Sequence, residues 1–493
     1  MFDLVHAHTS FLGHTGYNNH SREFFTKLND LIKVRVRNYT HVSDLSYLTQ
    51  EQKNMLLEQE WDYEPFKIGY PFDIHQYKNV VNIVLNETHH YFFYDDYKRP
   101  YIFYNVWEST RQPEEFFNRI LDADQFWVPS NWQKQCTIEQ GFDKDRIKIV
   151  PEGVDGNIFN PNPVKNPFSP SVFTFLLVGR WDYRKSTKEI IQAFSNEFMK
   201  GEAVELVCAV DNPFPSDGMN STEERFEKHG ITDKRIKIKH FLPFNEYLAM
   251  LKNCNAFVSC ARSEGWNLPL IEAIACGVPT ICSNYGAQLD FAREISNMVD
   301  IKDHLPPKEV YFHDITKLQN GTWAEPDFEH LQSVMRDTYS NHLELKKKAI
   351  FSSIVTKERF SWENAAAIAF KHLEDLDGIK KPKGVKLNIG SGDTKYGDYV
   401  NIDKYNSSAD VNMDGESLLG YEDDSIEEIL SEHMLEHVSH RDVSSYLDEW
   451  HRVLKPQGIL RLNLPDLDWC VREWLNSNDK IGFPLHRIFG SQH

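Results

Sequence analysis

Positive charge is scarce in this chain of 493 residues: 54 lysines and arginines face 73 aspartates and glutamates, a formal net charge of −19. A field of that sign repels phosphate backbones and anionic lipid, so bulk nucleic-acid binding is disfavoured, while a local basic pocket for a small phosphorylated molecule is not. Cysteine is scarce too. Cys136, Cys208, Cys254, Cys260, Cys276, Cys282 and Cys470 form no C-x-x-C pair, and several sit in apolar runs. That argues against a disulfide framework and for core thiols in a reducing, cytoplasmic compartment. No window holds about 18 uninterrupted apolar residues, and the start, MFDLVHAHTSF, has no basic stretch leading into a long apolar one. Neither a membrane span nor a signal peptide is expected. What is present excludes disorder: 41% hydrophobic and 13% aromatic residues are ample for packed cores.

The length predicts two to four domains at roughly 100–200 residues each. Short apolar, β-branched runs alternate with helical patterns, the signature of parallel sheets with crossover helices, so the class is α/β. Strands are expected at 2–7, 33–37, 80–85, 101–107, 125–128 and 147–150, with helices such as 21–28 and 131–140 between them. Residues 151–171, rich in Pro, Asn and Gly, read as a linker. A second series follows at 173–178, 205–210, 236–240, 256–259 and 280–282, and a third, after the polar connector 378–384, at 385–389, 399–402, 428–430 and 459–464. The expected domains are 1–155, 156–377 and 384–493. Two consecutive sheets of similar size imply a cleft between them.

The most informative segment is RSEGWNLPLIEAIACGVPTICSN at 262–284. A strand ends at Ser259, a loop runs through Gly265, and Pro269 suits the first turn of a helix carrying Glu272. The N–H groups of Asn267 and Leu268 then face the carboxyl end of a parallel strand, a site that attracts diphosphate oxygens. Glu264 and Glu272 bracket it with E-x7-E spacing and are good acceptors for sugar and ribose hydroxyls. In FLLVGRWDYRKSTKEIIQAF at 175–194, Arg180 and Lys185 follow a strand and can neutralise a diphosphate leaving group.

These segments resemble the E-x7-E signature and the G-R-x4-K-G pattern of the large retaining glycosyltransferase family with the GT-B fold, often called family 4. The resemblance implies two facing Rossmann-like domains, the N-terminal one on the acceptor side and the next binding a nucleotide sugar. Glu264 would hold hydroxyls of the transferred sugar, Glu272 the nucleotide ribose, and the backbone at Asn267 and Leu268 the phosphates. Arg180 and Lys185 carry over, whereas Ser186 stands where glycine is usual. GHTGYNNHSREFF at 13–25 resembles the family's first loop, placing Gly16 over the donor phosphates, with His20 and Arg22 within reach of the cleft. Glu108 ends the apolar run PYIFYNVWEST where many members have His, and a carboxylate there can accept a hydroxyl proton or steady positive charge at the anomeric carbon. Glu264, Glu108, Arg180 and Lys185 are thus the expected catalytic residues. The implied mechanism retains configuration, with the leaving diphosphate taking the acceptor proton and positioning and charge stabilisation dominating. No D-x-D motif stands at a strand end, Asp95–Asp96 lie in a Tyr-rich loop, and neither a metal nor a cofactor is required for this step. A helix near 360–377 is expected to cross back to the N-terminal domain.

VKLNIGSGDTKYGDYVNIDKY at 385–405 is a strand, a glycine turn and a second strand ending at Asp403, which on spacing alone suits a dinucleotide fold. With EEILSEHMLEHV and WHRVLKPQGILRLNLPDLDW it resembles class I S-adenosylmethionine-dependent methyltransferases more closely. By that resemblance Gly390 and Gly392 bracket the methionine portion, Asp403 holds the ribose and Asp414 lies near the adenine. His433 and His437 have i, i+4 spacing, but the family uses such a stretch for packing and capping. Only 29 residues follow Leu464, too few for the two further strands of that fold, so a partial domain, or one completed by another copy in a homo-oligomer, is expected. The expected function is a hexosyltransferase-type retaining glycosyltransferase, taking a nucleotide-diphosphate sugar and a glycan or lipid-linked acceptor in surface polysaccharide or glycan biosynthesis. The competing readings are a glycan methyltransferase with the front domains as a recognition module, or a lectin-like binder.

Overall fold

A computed structural model describes residues 2–39, 45–56, 77, 79–86, 100–121, 123–212, 218–308, 321–378, 385–406, 408–418, 420–439 and 441–464. The chain divides into two compact units, Met1–Gly378 and Ile379–His493. Asp95–Asp96, Asp122, Cys470, most of the 378–384 connector and everything after Leu464 lie outside the described residues. The six described cysteines are free thiols, all buried.

The first unit holds two six-stranded parallel sheets. β1 (Leu4–Thr9), β2 (Val34–Asn38), β3 (Val80–Leu85), β4 (Tyr101–Tyr104), β5 (Gln125–Val128) and β6 (Ile147–Ile149) stand in the order β2-β1-β3-β4-β5-β6. β7 (Phe173–Val178), β8 (Val204–Ala209), β9 (Ile236–Ile238), β10 (Ala256–Ser259), β11 (Thr280–Ser283) and β12 (Asn297–Val299) stand in the order β12-β11-β10-β7-β8-β9. β1 and β3 are buried at every position, as expected of strands covered on both faces. In the second sheet the strand order reverses between β7 and β10, so the loops that leave these two strands flank a topological switch point, where ligands bind in open α/β sheets.

Several boundaries differ from the sequence reading for local reasons. The first helix begins at Gly16 rather than Ser21, because Thr15 and Asn18 form a reciprocal cap: Asn18 Oδ1 accepts the Thr15 N–H at 2.8 Å and Thr15 Oγ1 accepts the Asn18 N–H at 3.4 Å. β4 stops at Tyr104, and the Trp107 N–H goes instead to the Gln133 side chain at 3.0 Å. β12 and the antiparallel pair β13 (Ile301–Leu305) and β14 (Trp323–Pro326) carry too little apolar periodicity to be foreseen.

The helix Trp362–Gly378 packs into the core of the first sheet, where Trp362, Ala365, Ala369 and Leu373 join Val5, Val81 and Ile83. Lys27 and Glu363 tie it to the first helix at 2.9 Å. The two passages of chain between the sheets run side by side: the Val154 N–H donates to the Phe360 carbonyl at 2.8 Å, and Val154 bridges Ser361. Gly153 allows this, since a Cβ there would lie 2.5 Å from the Trp362 nitrogen.

The second unit is a parallel sheet of β15 (Val385–Ile389), β16 (Val400–Asp403), β17 (Val411–Asn412), β18 (Ile426–Glu432) and β19 (Leu454–Asn463), ordered β17-β16-β15-β18-β19. His433 and His437 do not share a helical face. β18 runs to Glu432, His433 takes a positive φ of 51°, and only a short 3-10 turn, Leu435–His437, follows.

Candidate active site

β7 and β10 each end in a loop whose backbone is forced into unusual conformations. After β7, Gly179 has a φ of 147°, the Asp182 carboxylate accepts the Lys185 N–H at 2.7 Å, and Ser186 adopts a left-handed φ of 54° before the helix Thr187–Glu197. That is the conformation glycine takes most readily. Here the serine is held by Arg262, whose guanidinium donates to Ser186 Oγ at 3.2 Å and lies 3.6 Å over the Tyr183 ring.

After β10, Gly265 touches the segment that follows β4. A Cβ would meet Val106 Cγ1 at 2.5 Å and the Trp107 carbonyl at 3.0 Å, so only glycine lets the loops from the two sheets close on each other. Asn267 then takes a φ of 88°, with its amide donating to Ser259 Oγ at 3.0 Å and Gln288 Oε1 at 2.8 Å. The helix Leu268–Ala275 starts there with Pro269 in its first turn. Among the described residues no backbone acceptor takes the N–H of Asn267 or Leu268.

These loops assemble a row of alternating charge. The Glu264 carboxylate, 4% exposed, meets Lys185 Nζ at 2.5 Å and Arg184 Nη1 at 3.1 Å. Arg184 also donates to the Ser263 carbonyl at 2.8 Å and reaches Glu108 Oε1 at 3.2 Å. Glu108 thus joins the row from the first sheet. Burial alone would raise the pKa of Glu264, but Lys185 and Arg184 outweigh it and hold the carboxyl below its ordinary value. Arg180 stands at the edge, 3.4 Å from Asp182.

The row borders a cavity of about 690 Å³, lined on one side by residues 14–17 and 106–108 and on the other by Gly179, Arg180, Arg184, Lys185, Asp211, residues 239–242 and Tyr247. Of the expected site residues, Gly16, Glu108, Arg180 and Lys185 line it. Glu264 stands behind Lys185, and Glu272 stands behind Tyr247, whose hydroxyl donates to its carboxylate at 2.5 Å. Burial pushes the Glu272 carboxyl up to about 7, against the lowering effect of that hydrogen bond. Asn267 and Leu268 are not among the lining residues.

His20 and Arg22 do not reach the cavity. Arg22 is buried, donating to the Phe11 carbonyl at 2.9 Å, and so shapes the loop before the helix. His20 is enclosed by Tyr104, Phe24 and Trp362, and burial lowers its pKa to about 3. Its neighbour at 3.8 Å is Glu152, whose pKa burial raises well above normal, helped by the charges of Glu108, Glu264 and Glu272. Burial thus favours the neutral form of both groups. Sequence reasoning missed Glu152, Tyr247 and, above all, Arg184. The only signal for Arg184 was its place beside Lys185 in YRKST.

In the second unit Gly390 has a φ of 74° and lies against Met434, leaving no room for a Cβ, while Gly392 has a φ of 49° and open space around it. Asp403 accepts N–H groups of Gly392 at 2.9 Å and of Tyr405 and Asn406 at 2.8 Å each. Those bonds outweigh burial and lower its pKa. Asp414 is held by Lys404 and by the Tyr446 hydroxyl, both at 2.6 Å.

Residues 159–304 match the family model described as glycosyl transferases group 1, and residues 398–462 match that described as methyltransferase domain. The first match spans Arg180, Lys185, Glu264, Asn267, Leu268 and Glu272; the second includes Asp403 and Asp414 and begins after Gly390 and Gly392. The chain is similar to a phosphatidylinositol N-acetylglucosaminyltransferase component from Arabidopsis thaliana, 24% identical over 168 residues, 34% of this chain and 36% of that one. It is also similar to the D-inositol 3-phosphate glycosyltransferase of Paenarthrobacter aurescens, 21% identical over 285 residues, 56% of this chain and 64% of that one. The chain therefore spans between 36% and 64% of the length of these two relatives. Among solved structures, Anabaena HepE in complex with UDP and glucose aligns with a TM-score of 0.54 at 12% identity, covering 77% of this chain and 100% of that one. Sucrose-phosphate synthase from Thermosynechococcus elongatus aligns with a TM-score of 0.55 at 16% identity, covering 76% and 99%. The fold of the first unit is GT-B.

Removing one partner of a buried charge row leaves the others uncompensated. Arg184→Met should therefore lower stability by about 3–5 kcal/mol, read as a fall in the urea midpoint, with Arg184→Lys intermediate. A loss below about 1 kcal/mol, the value of an exposed pair, would show that Glu108 and Glu264 do not depend on it.

Proposed function

We propose that this chain, which carries a group 1 glycosyltransferase segment in a GT-B fold, is a retaining, hexosyltransferase-type enzyme. In this reading it moves a sugar from a nucleoside-diphosphate sugar to a hydroxyl of a glycan or lipid-linked acceptor in surface polysaccharide or glycan biosynthesis. The carrying observation is the charge row Glu108–Arg184–Glu264–Lys185 beside the cavity.

As the bond from the anomeric carbon to the diphosphate lengthens, negative charge builds on the leaving group. Arg180 and Lys185 neutralise it, and the N–H groups of Asn267 and Leu268 at their helix N-terminus donate to its oxygens. The ionised Glu264 accepts sugar hydroxyls, Glu272 accepts a ribose hydroxyl in place of the Tyr247 hydroxyl that it meets here, and Gly16 lets the first loop approach the phosphates. The acceptor oxygen bonds to the same face of the carbon, and its proton passes to the departing diphosphate oxygen. Glu108, anchored by Arg184, faces the positive charge that develops between the two events. Residues 1–155 supply the acceptor side and residues 156–377 the donor side.

In the second unit the glycine turn suits close approach of S-adenosylmethionine, the methyl donor that the domain match suggests. Asp403 already accepts three N–H groups, so about one of its roughly four lone-pair sites remains for a ribose hydroxyl. That makes methylation a weaker candidate for the principal activity than sugar transfer.

A thermal-shift screen of nucleoside-diphosphate sugars should identify the donor. With it, Glu264→Gln and Lys185→Ala should each lower kcat/KM by at least about 100-fold while circular dichroism is unchanged, and proton NMR should show the donor's anomeric configuration in the product. Undiminished turnover in both variants, or an inverted product, contradicts the proposal. Because a ribose hydroxyl is accepted by the ionised Glu272, whose pKa is about 7, the donor Kd should weaken about tenfold per pH unit below that value. Tyr247→Phe removes the bond that lowers this pKa and should move the break to higher pH. A Kd flat from about pH 5.5 to 8.5 in both proteins contradicts the assignment of Glu272.

A further inference from the structure

Glu108 lies on a stretch of chain, 105–108, that belongs to neither helix nor strand, so the first sheet does not by itself fix where its carboxylate points. Elements of the second sheet's side hold it at two points. The carboxylate reaches Arg184 at 3.2 Å, and the Glu108 carbonyl accepts the indole N–H of Trp323, the first residue of β14, at 2.7 Å. One residue earlier, Thr322 donates its N–H to Thr110 Oγ1 at 2.8 Å. Gly321 makes this approach possible: a Cβ there would meet the Arg111 nitrogen at 2.5 Å, and its φ of 81° suits glycine. Trp323 is itself well fixed. It is 6% exposed, and its ring stacks at 6.4 Å and 28° on Tyr183, in the loop that carries Arg184 and Lys185. The next residue, Ala324, donates its N–H to the Arg262 carbonyl at 3.0 Å, and Glu325 takes the Arg262 guanidinium at 2.5 Å. A single short strand thus touches the loops that bear Glu108, Arg184 and Glu264.

We propose that Trp323 is a positioning residue for Glu108, and that β14 ties the placement of that carboxylate to the donor-side loops. The inference rests on the proposed reaction, in which Glu108 faces the charge that develops at the anomeric carbon. A misplacement of about 1 Å can cost about 100-fold in rate, and Arg184 alone would leave the backbone of this irregular segment unfixed at Glu108. The indole N–H fixes it there, as Arg184 does at the carboxylate. Because both holds come from the side that carries Lys185 and Glu264, Glu108 keeps its place relative to the leaving group. Packing alone would call for the ring of Trp323 but not for an N–H aimed at this carbonyl.

The test is hydrolysis by the full chain, with water as the acceptor, of whichever nucleoside-diphosphate sugar raises its unfolding temperature most in a panel that includes UDP-glucose and GDP-mannose. Trp323→Phe keeps the ring and removes the N–H. It should lower kcat about tenfold and leave the donor KM within about twofold of wild type. Gly321→Ala, which pushes β14 off the segment without altering the indole, should have the same effect and carries the test if Trp323→Phe does not fold. A double-mutant cycle separates positioning from structure: in a Glu108→Gln background neither substitution should cost anything further. Equal losses in both backgrounds, a raised KM at unchanged kcat, or wild-type turnover by Trp323→Phe overturns the assignment of Trp323 and leaves Glu108 in the reaction. Full turnover by Glu108→Gln, or none by the wild-type chain, overturns the reading on which this inference rests, and the inference with it.

Discussion

The Glu264 carboxylate is the point on which the site depends. An ionised carboxylate out of water is costly unless cations meet it directly, and here one loop from β7 supplies two, Arg184 and Lys185. That requirement explains the surrounding geometry. The loop must turn sharply at Ser186 to bring both cations to one carboxylate, and Gly265 must lack a side chain for the β10 loop to lie against Val106 and Trp107. Arg184, having satisfied Glu264, extends to Glu108 across the gap between the sheets. A single buried charge thus draws together three loops from two sheets.

Four glutamates share this region, and their surroundings separate them. Glu264 is ionised because two cations face it. Glu272 is met by the Tyr247 hydroxyl and titrates at about 7, and burial pushes the Glu152 carboxyl well above its ordinary value. Glu108 remains partly open at the cavity wall. Under the proposed function, negative charge on all of these carboxyls beside the cavity would oppose the binding of a diphosphate. Burial pushes the Glu152 carboxyl up and Arg184 and Lys185 meet Glu264, while Arg180, Lys185 and Lys239 stand at the cavity wall.

The sequence was most legible where one physical demand dominates. β3, β5, β7, β10 and β15 match the expected strands residue for residue, because buried parallel strands are nearly continuous apolar runs. The E-x7-E segment was legible because a helix start and two acids at fixed spacing leave a local signal. Arg184 was not, since a cation in a loop becomes meaningful only when a buried carboxylate about 80 residues further along the chain reaches it. Glu152 escaped for the same reason. The i, i+4 spacing of His433 and His437 makes no helical face because β18 continues to Glu432 and a 3-10 turn follows.

The central claim is that the cations held by Glu264 face a nucleoside diphosphate. The most direct measurement is a crystal structure of the protein with a nucleoside diphosphate bound. The account predicts the diphosphate within hydrogen-bond distance of Arg180, Lys185 and the N–H groups of Asn267 and Leu268, with the ribose at Glu272. A diphosphate bound elsewhere, with the Glu108–Arg184–Glu264–Lys185 row untouched, would contradict it.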